Sequence, residues 1–390
     1  MRIAIVHDYF TQLGGAEKVA EEMFQLFPRA SLFSTVALRD QLPPGLRRVR
    51  ISTSWMQNLP GIRRYYRLYF LLYPFAVTSL KLSNYDLVIS SSSGYAKGVS
   101  TSRDAMHICY CHTPMRWAWN FSGYSEREAM NQAMRATLQS LTSLLRRWDI
   151  GASRQPDHFI ANSKTVAERI QRAYGRTAEV IHPPIDVDRF RPSPEVDNYY
   201  LVLSRMVSYK RLDLAVEACT RLKRNLIVVG SGPHRNALES QAGRTVQFVG
   251  RLPDAAVARL VAHCRALLFP GEEDFGMVPL EVAAAGRPTI AFRAGGATET
   301  IVEGISGLFF DQQTPDSLAD AIERFERIEW SPVEIRKQAE RFSVPVFRSR
   351  MCRFLERVGA PVKDIDMLPV QGNSPVLCDM ESVLGRTVVT

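Results

Sequence analysis

Short apolar runs recur along the chain, and each closes on glycine, proline or small polar residues before a stretch with helical spacing begins. In the first half these runs are Arg2–Val6, Tyr85–Ser90, His107–Cys111 and His158–Ala161. In the second half they are Tyr199–Ser204, Leu226–Val229, Val246–Val249 and Ala266–Phe269. Helical spacing predicts helices over Lys18–Phe27, a polar region from Ser125 to Trp148, Thr165–Tyr174 with Ser163 as cap, and Leu212–Leu222. Another helix follows Gly276, with Val278, Leu280, Val282 and Ala283 on its apolar face. Strands alternating with helices in both halves argue two doubly wound α/β domains with parallel sheets. The proline-rich extended segment from Val180 to Pro192 reads as the hinge between them. Val333–Arg341 and Val346–Val358 are helical phrases, and the tail from Gly359 to Thr390 has no clear periodicity.

The richest chemistry lies in Phe269–Glu281, FPGEEDFGMVPLE. A strand end delivers the chain to a Pro-Gly turn, and Glu272, Glu273 and Asp274 stand where the strand stops. Phe275, Gly276, Met277 and Val278 then offer free backbone N–H groups at a helix start, a usual seat for phosphate, with Gly276 permitting close approach. Glu273 and Glu281 are eight positions apart, so one lies at the loop and the other a layer deeper. Upstream, Arg205 and Lys210 flank another strand–loop–helix junction. Arginine grips a diphosphate through two N–H groups, lysine adds a point charge, and the helix dipole acts in the same sense. Gly230 and Gly232 form a glycine turn at the next strand end.

In the first half, Gly14-Gly15 joins a strand to a helix N-terminus without the three-glycine dinucleotide fingerprint. Lys97 follows the serine- and glycine-rich end of the Tyr85–Ser90 strand, where parallel strands open onto a cleft. His112 and Arg116 follow the strand His107–Cys111. His107, at that strand's start, is read as structural.

Composition narrows the classes. At 390 residues, 46% apolar and 23% charged, the chain has room for two domains. It contains no run of 18 unbroken apolar residues, so no transmembrane helix is expected, and the first residues read as a strand and not as a signal peptide. The six cysteines lack metal-ligand spacing and are expected as reduced cytosolic thiols. Residues 1–190 carry 24 Lys+Arg against 15 Asp+Glu, whereas residues 191–390 carry 25 of each, so the whole net charge of +9 belongs to the first half. From Gln41 to Tyr85 there is no acid, but seven cations, including Arg63, Arg64 and Arg67, and eight aromatic residues. Cations beside rings and leucines suit contact with an anionic membrane surface. A buried helix with solvated basic flanks would account for the same pattern, and charge alone would also suit nucleic acid, although no recognised nucleic-acid module accompanies it.

Glu273 and Glu281 with Phe275-Gly276 between them, followed by Ala285-Gly286-Arg287-Pro288 and Gly295-Gly296, resemble the signature of the family-4 retaining glycosyltransferases. The phrase His112-Thr113-Pro114-Met115-Arg116-Trp117-Ala118-Trp119 is similar to the matching segment of bacterial family-4 mannosyltransferases acting on lipid-linked oligosaccharides. The resemblance implies the GT-B fold: two facing Rossmann-like domains, a cleft between them, and C-terminal helices crossing back to the first. The implied division is 1–190 for the acceptor, 191–340 for the nucleotide sugar, 341–358 as the returning helix, and 359–390 as tail. It further implies that Arg205 and Lys210 hold the donor's diphosphate in place of a divalent metal, so neither metal nor cofactor is expected. Glu273 would hold sugar hydroxyls, Glu281 the ribose, and His112 would touch the donor sugar or the reacting centre. Gly14-Gly15 would face the donor phosphate, and the base would pack near Arg251. Arg116 and Lys97 are expected in the cleft. The implied reaction moves mannose from GDP-mannose to a polyprenyl-diphosphate-linked sugar in exopolysaccharide or O-antigen synthesis, on the inner face of the plasma membrane. A UDP-sugar donor such as UDP-glucose, or a non-catalytic nucleic-acid-binding protein, are the alternatives.

Overall fold

Strand β1 (Ile3–His7) is buried along its whole length, as a parallel strand covered on both faces should be. It pairs in parallel with β2 (Ser31–Ser34) on one side and β4 (Leu87–Ser92) on the other. With β3 (Ile51–Thr53), β5 (Met106–Cys111), β6 (His158–Ala161) and β7 (Glu179–Val180), these form a seven-stranded sheet ordered β3-β2-β1-β4-β5-β6-β7. A second sheet has six strands: β8 (Tyr200–Leu203), β9 (Leu226–Val229), β10 (Val246–Gly250), β11 (Ala266–Phe269), β12 (Thr289–Phe292) and β13 (Gly307–Phe310). Its order is β10-β9-β8-β11-β12-β13. This computed structural model describes residues 1–119 and 132–360.

Alternate strand residues feed two cores per sheet. In the first lobe Ile3, Ile5, Leu87 and Ile89 meet Val19, Met23 and Leu26 of the helix Gly15–Leu26 on one face, while Ala4, Val6 and Val88 meet Tyr73, Ala76 and Val77 on the other. In the second, Val202, Val228 and Leu268 pack on the helix Leu212–Arg221, and Leu201, Leu267 and Phe269 pack on the helix Met277–Ala284. The helix Val344–Arg357 sends Phe347, Met351, Phe354 and Leu355 into the first lobe's core. The chain leaves that lobe and returns to it along neighbouring paths, where the Ile185 N–H donates to the Phe342 carbonyl at 2.8 Å.

In both sheets the strand order reverses beside the first strand, between β1 and β4 and between β8 and β11. A crevice opens at such a switch point, outside the carboxyl ends of the strands. Five strands, β2, β3, β7, β12 and β13, are not legible as strands from the pattern, and β7 is only two residues long. SLFS and IST are short and half polar, while TIAF and GLFF sit within glycine-rich phrases. The polar helical region is a helix over Gln132–Ala152; residues 125–131 and the tail from 361 lie outside the described residues.

Candidate active site

The carboxyl ends of the switch-point strands carry the site. Arg205 follows β8 and the acidic turn follows β11. Close backbone packing explains several glycines here. A Cβ on Gly271 would stand 2.8 Å from the Lys210 carbonyl oxygen, so glycine lets the Pro-Gly turn press against the Lys210 loop. There Lys210 forms an ion pair with Glu273, and both side chains are mostly shielded from solvent. Arg205 is exposed and donates to the Tyr209 hydroxyl at 3.0 Å. Gly276, in the left-handed region at φ 81°, precedes the helix Met277–Ala284 and leaves its first N–H groups uncapped by any side chain.

The first lobe closes on this arrangement. Gly15 faces Met277 so closely that an added Cβ would lie 2.7 Å from its sulfur. Lys18 pairs with Glu281 at 2.9 Å, and Arg205 reaches Gln12, just ahead of the Gly-Gly turn, at 3.4 Å. Arg116 crosses from the β5 side to Asp274 at 2.6 Å, its guanidinium 5.3 Å from the centre of the Tyr209 ring. Burial pulls the Arg116 pKa down, but the Asp274 carboxylate outweighs it and the net direction is upward. Arg169 also pairs with Asp274, and with Glu272 at 2.9 Å, while the Ser163 hydroxyl donates to the Asp274 carbonyl at 2.6 Å. Glu299 of the second lobe accepts from the Lys164 and Thr165 N–H groups and from His182.

His112 stands at the end of β5, buried, with Nε2 2.8 Å from the Ser91 hydroxyl. Burial, reinforced by His7, pushes its pKa down to about 3, so the ring is neutral at ordinary pH. Asn162 donates to its carbonyl at 3.0 Å and ties this loop to Ser163 and thence to Asp274. His107 is buried against Ser90 and pushed down to about 4 by burial, in keeping with its structural reading.

One expectation needs correction. Lys97 is not in the cleft: it is 1% exposed, paired with Asp149 at 2.5 Å and bonded to the Gly94 carbonyl. Its long stem carries the charge inward because a buried carboxylate waits on the helix Gln132–Ala152. The Phe275 ring packs among Ile185, Leu280 and Phe342, with the His182 ring stacked 5.3 Å away. Only its main chain remains for a ligand. Gly230 and Gly232 answer first to the Arg205 loop, since added Cβ atoms would stand 1.9 Å from the Ser204 and 2.2 Å from the Met206 carbonyl oxygens. Arg251 lies on the neighbouring loop and donates to Ser231 at 2.8 Å.

Sequence reasoning missed the clasp of Arg116 and Arg169 on Asp274, as well as Lys18, Gln12, Tyr209 and Glu299. Nothing in a linear pattern pairs residues from opposite lobes. Asp274 was visible only as one of three acids at a strand end.

Two parallel-sheet lobes meeting across a cleft at their switch points define the GT-B class of architecture. Residues 13–189 match the family described as Glycosyltransferase Family 4, and residues 186–342 match Glycosyl transferases group 1. The chain belongs to the family-4 glycosyltransferases. Among its relatives, the GDP-mannose-dependent alpha-(1-6)-phosphatidylinositol monomannoside mannosyltransferase of Mycobacterium tuberculosis is 33% identical over 195 residues, 41% of this chain and 50% of the relative. The D-inositol 3-phosphate glycosyltransferase of a Nocardioides species is 27% identical over 208 residues, 43% of this chain and 45% of the relative. The chain thus spans about half the length of the curated relatives it matches. Among solved structures, Anabaena HepE in complex with UDP superposes with a TM-score of 0.66 at 18% identity, covering 92% of this chain and 100% of that one. Sucrose-phosphate synthase of Thermosynechococcus elongatus gives 0.66 at 14% with the same coverage.

Proposed function

We propose that the protein is a retaining glycosyltransferase that moves mannose from GDP-mannose onto a polyprenyl-diphosphate-linked oligosaccharide. The observation that carries this reading is the convergence of Arg205, Lys210, Glu273 and the start of the helix Met277–Ala284 in one cleft, against the Gly14-Gly15 turn. Breaking a glycosyl–diphosphate bond leaves negative charge on the leaving group and positive character on the sugar. Stabilising the leaving group is the larger task. Arg205, Lys210 and the amides of Gly276 to Val278 meet it without a metal ion. Glu273, released from Lys210 by the phosphates, holds sugar hydroxyls, and Glu281 holds the ribose. Neutral His112 offers a hydrogen bond at the reacting centre, and Arg251 lies where the base packs. No carboxylate stands as nucleophile in this scheme; the acceptor attacks the face the leaving group vacates, assisted by leaving-group oxygen.

The relatives named as GDP-mannose-dependent support mannose as the sugar. The UDP complex of HepE favours a second reading, a UDP-sugar donor on the same scaffold. Incubating the protein with GDP-mannose or UDP-glucose and a polyprenyl-diphosphate sugar decides between them. Product from GDP-mannose alone is expected; product from UDP-glucose alone would transfer the assignment to the second donor.

The acceptor's lipid places the reaction at a membrane surface, on the inner face of the plasma membrane. No helix among the described residues is long and apolar enough to cross one. Leu68 and Phe75 are 72% and 67% exposed, next to Arg63, Arg64 and Arg67, which supports peripheral contact through the first lobe. Co-sedimentation with anionic vesicles is expected to fall when these three arginines are neutralised, and binding unaltered by that change would remove this part of the proposal.

A further inference from the structure

Behind His112 runs a line of buried side chains that the proposed chemistry does not use. The Ser91 hydroxyl lies 2.8 Å from His112 Nε2 and 3.0 Å from His7 Nδ1. On the far side of His7, Nε2 stands 4.0 Å from Glu17 Oε1, with both side chains 3% exposed. Glu17 belongs to the first turn of the helix Gly15–Leu26, where the helix dipole favours a carboxylate. A Cβ on Gly14 would lie 2.9 Å from Glu17 Oε2, so glycine at this turn leaves the carboxylate its seat. His112 is 7% exposed and its Nδ1 makes no hydrogen bond among the described residues, so that nitrogen is the one left for a ligand.

A hydroxyl has one proton. Between two imidazoles, Ser91 therefore donates to one ring and accepts from the other. The Glu17 carboxylate can only accept, which favours a proton on the His7 nitrogen that faces it and leaves His7 Nδ1 bare. Ser91 then donates to His7, His112 Nε2–H donates to Ser91, and His112 Nδ1 keeps a free lone pair. We infer that Glu17, acting through His7 and Ser91, sets the tautomer of His112 so that its Nδ1 is a hydrogen-bond acceptor for a hydroxyl of the reacting sugars. Glu17, His7 and Ser91 are positioning residues. The role given to the lone pair rests on the placement of His112 under the proposed function; the tautomer itself does not.

The test is a long-range proton–nitrogen correlation spectrum of the full chain labelled at its histidine rings, with His112 assigned by its loss in His112→Gln. The wild type is expected to show His112 protonated at Nε2 and bare at Nδ1. In Glu17→Gln the amide can donate to His7 as well as accept from it, so the line partly reverses and His112 should carry its proton on Nδ1 in part of the population. Ser91→Ala cuts the line, so His112 should become indifferent to residue 17, which keeps the inference testable if Glu17→Gln does not fold. A wild-type His112 protonated at Nδ1, or a spectrum unmoved by Glu17→Gln, overturns it. Full transfer activity in His112→Gln beside the expected partial reversal would instead remove the role of His112 in the reaction and leave the relay standing.

Discussion

Replacing Lys97 with methionine keeps most of the stem's volume and removes only the ammonium. Lys97 and Asp149 are 1% and 0% exposed, and the other Asp149 oxygen already accepts from Trp119 Nε1 at 2.8 Å and the Tyr174 hydroxyl at 2.7 Å. The substitution therefore leaves a carboxylate in the interior facing two neutral donors and, among the described residues, no paired cation. Breaking a buried pair from one side costs about 3–5 kcal/mol. At about 2–4 °C per kcal/mol for a lobe of this size, scanning calorimetry should find the melting point lowered by about 6–20 °C. Adding Asp149→Asn removes the stranded charge while its amide oxygen still accepts from Trp119 and Tyr174, so the double variant should recover much of the loss. Turnover at 20 °C, well below either transition, should stay near that of the wild type. A melting point moved by less than about 2 °C, or turnover lost at unchanged stability, would return Lys97 to the cleft and refute the reasoning.

Lys210→Ala and Glu273→Ala should each lower turnover by about 10²-fold or more, the scale of a lost transition-state contact, as measured in a transfer assay; near-wild-type rates in either would contradict their roles. Asp274→Asn weakens the clasp to Arg116 and Arg169, and small-angle scattering should report a larger radius of gyration. The energetic change should be only about 1 kcal/mol because both guanidiniums are part-exposed, and an unchanged scattering curve would contradict the clasp. Acid should destabilise the fold through His107, held at about 4 by burial against about 6.5 when unfolded. The native state binds this proton later than the unfolded chain, so stability is full above about pH 6.5 and falls towards pH 4, by up to about 1.4 kcal/mol per pH unit. Urea titrations of His107→Gln across that range should show a shallower decline, and an equal slope would exclude His107 as a cause.

Much of this was legible in the residue pattern, for physical reasons that also explain what was not. The largely buried parallel strands β1, β5, β6, β8, β9 and β11 announce themselves as apolar runs, and Ser163 caps its helix by accepting from the Val166 N–H, as its position suggested. Lys210 and Glu273 lie on different loops, but each was marked by its place at a strand end, and the structure pairs them. The clasp and the line from Glu17 to His112 were hidden because their members come from separate strands and lobes; Glu17 was visible only as an acid after two glycines. Lys97 misled because position at a strand's carboxyl end does not reveal whether a flexible side chain points outward or folds back onto a buried carboxylate. Phe275 was expected to offer its main chain, and its ring fills the junction between Ile185 and Phe342.

The central claim is that side chains and amides of the second lobe hold a nucleoside diphosphate without a divalent ion. A thermal-shift titration with GDP and with UDP, in buffer containing a chelator, on the wild type and on the Arg205→Ala/Lys210→Ala double variant, tests it most directly. At 100 times the dissociation constant, GDP should stabilise the wild type by about 2.7 kcal/mol, with UDP weaker and the double variant unresponsive to both at the same concentrations. Protection that requires added metal, or that survives loss of both cations, would contradict the account.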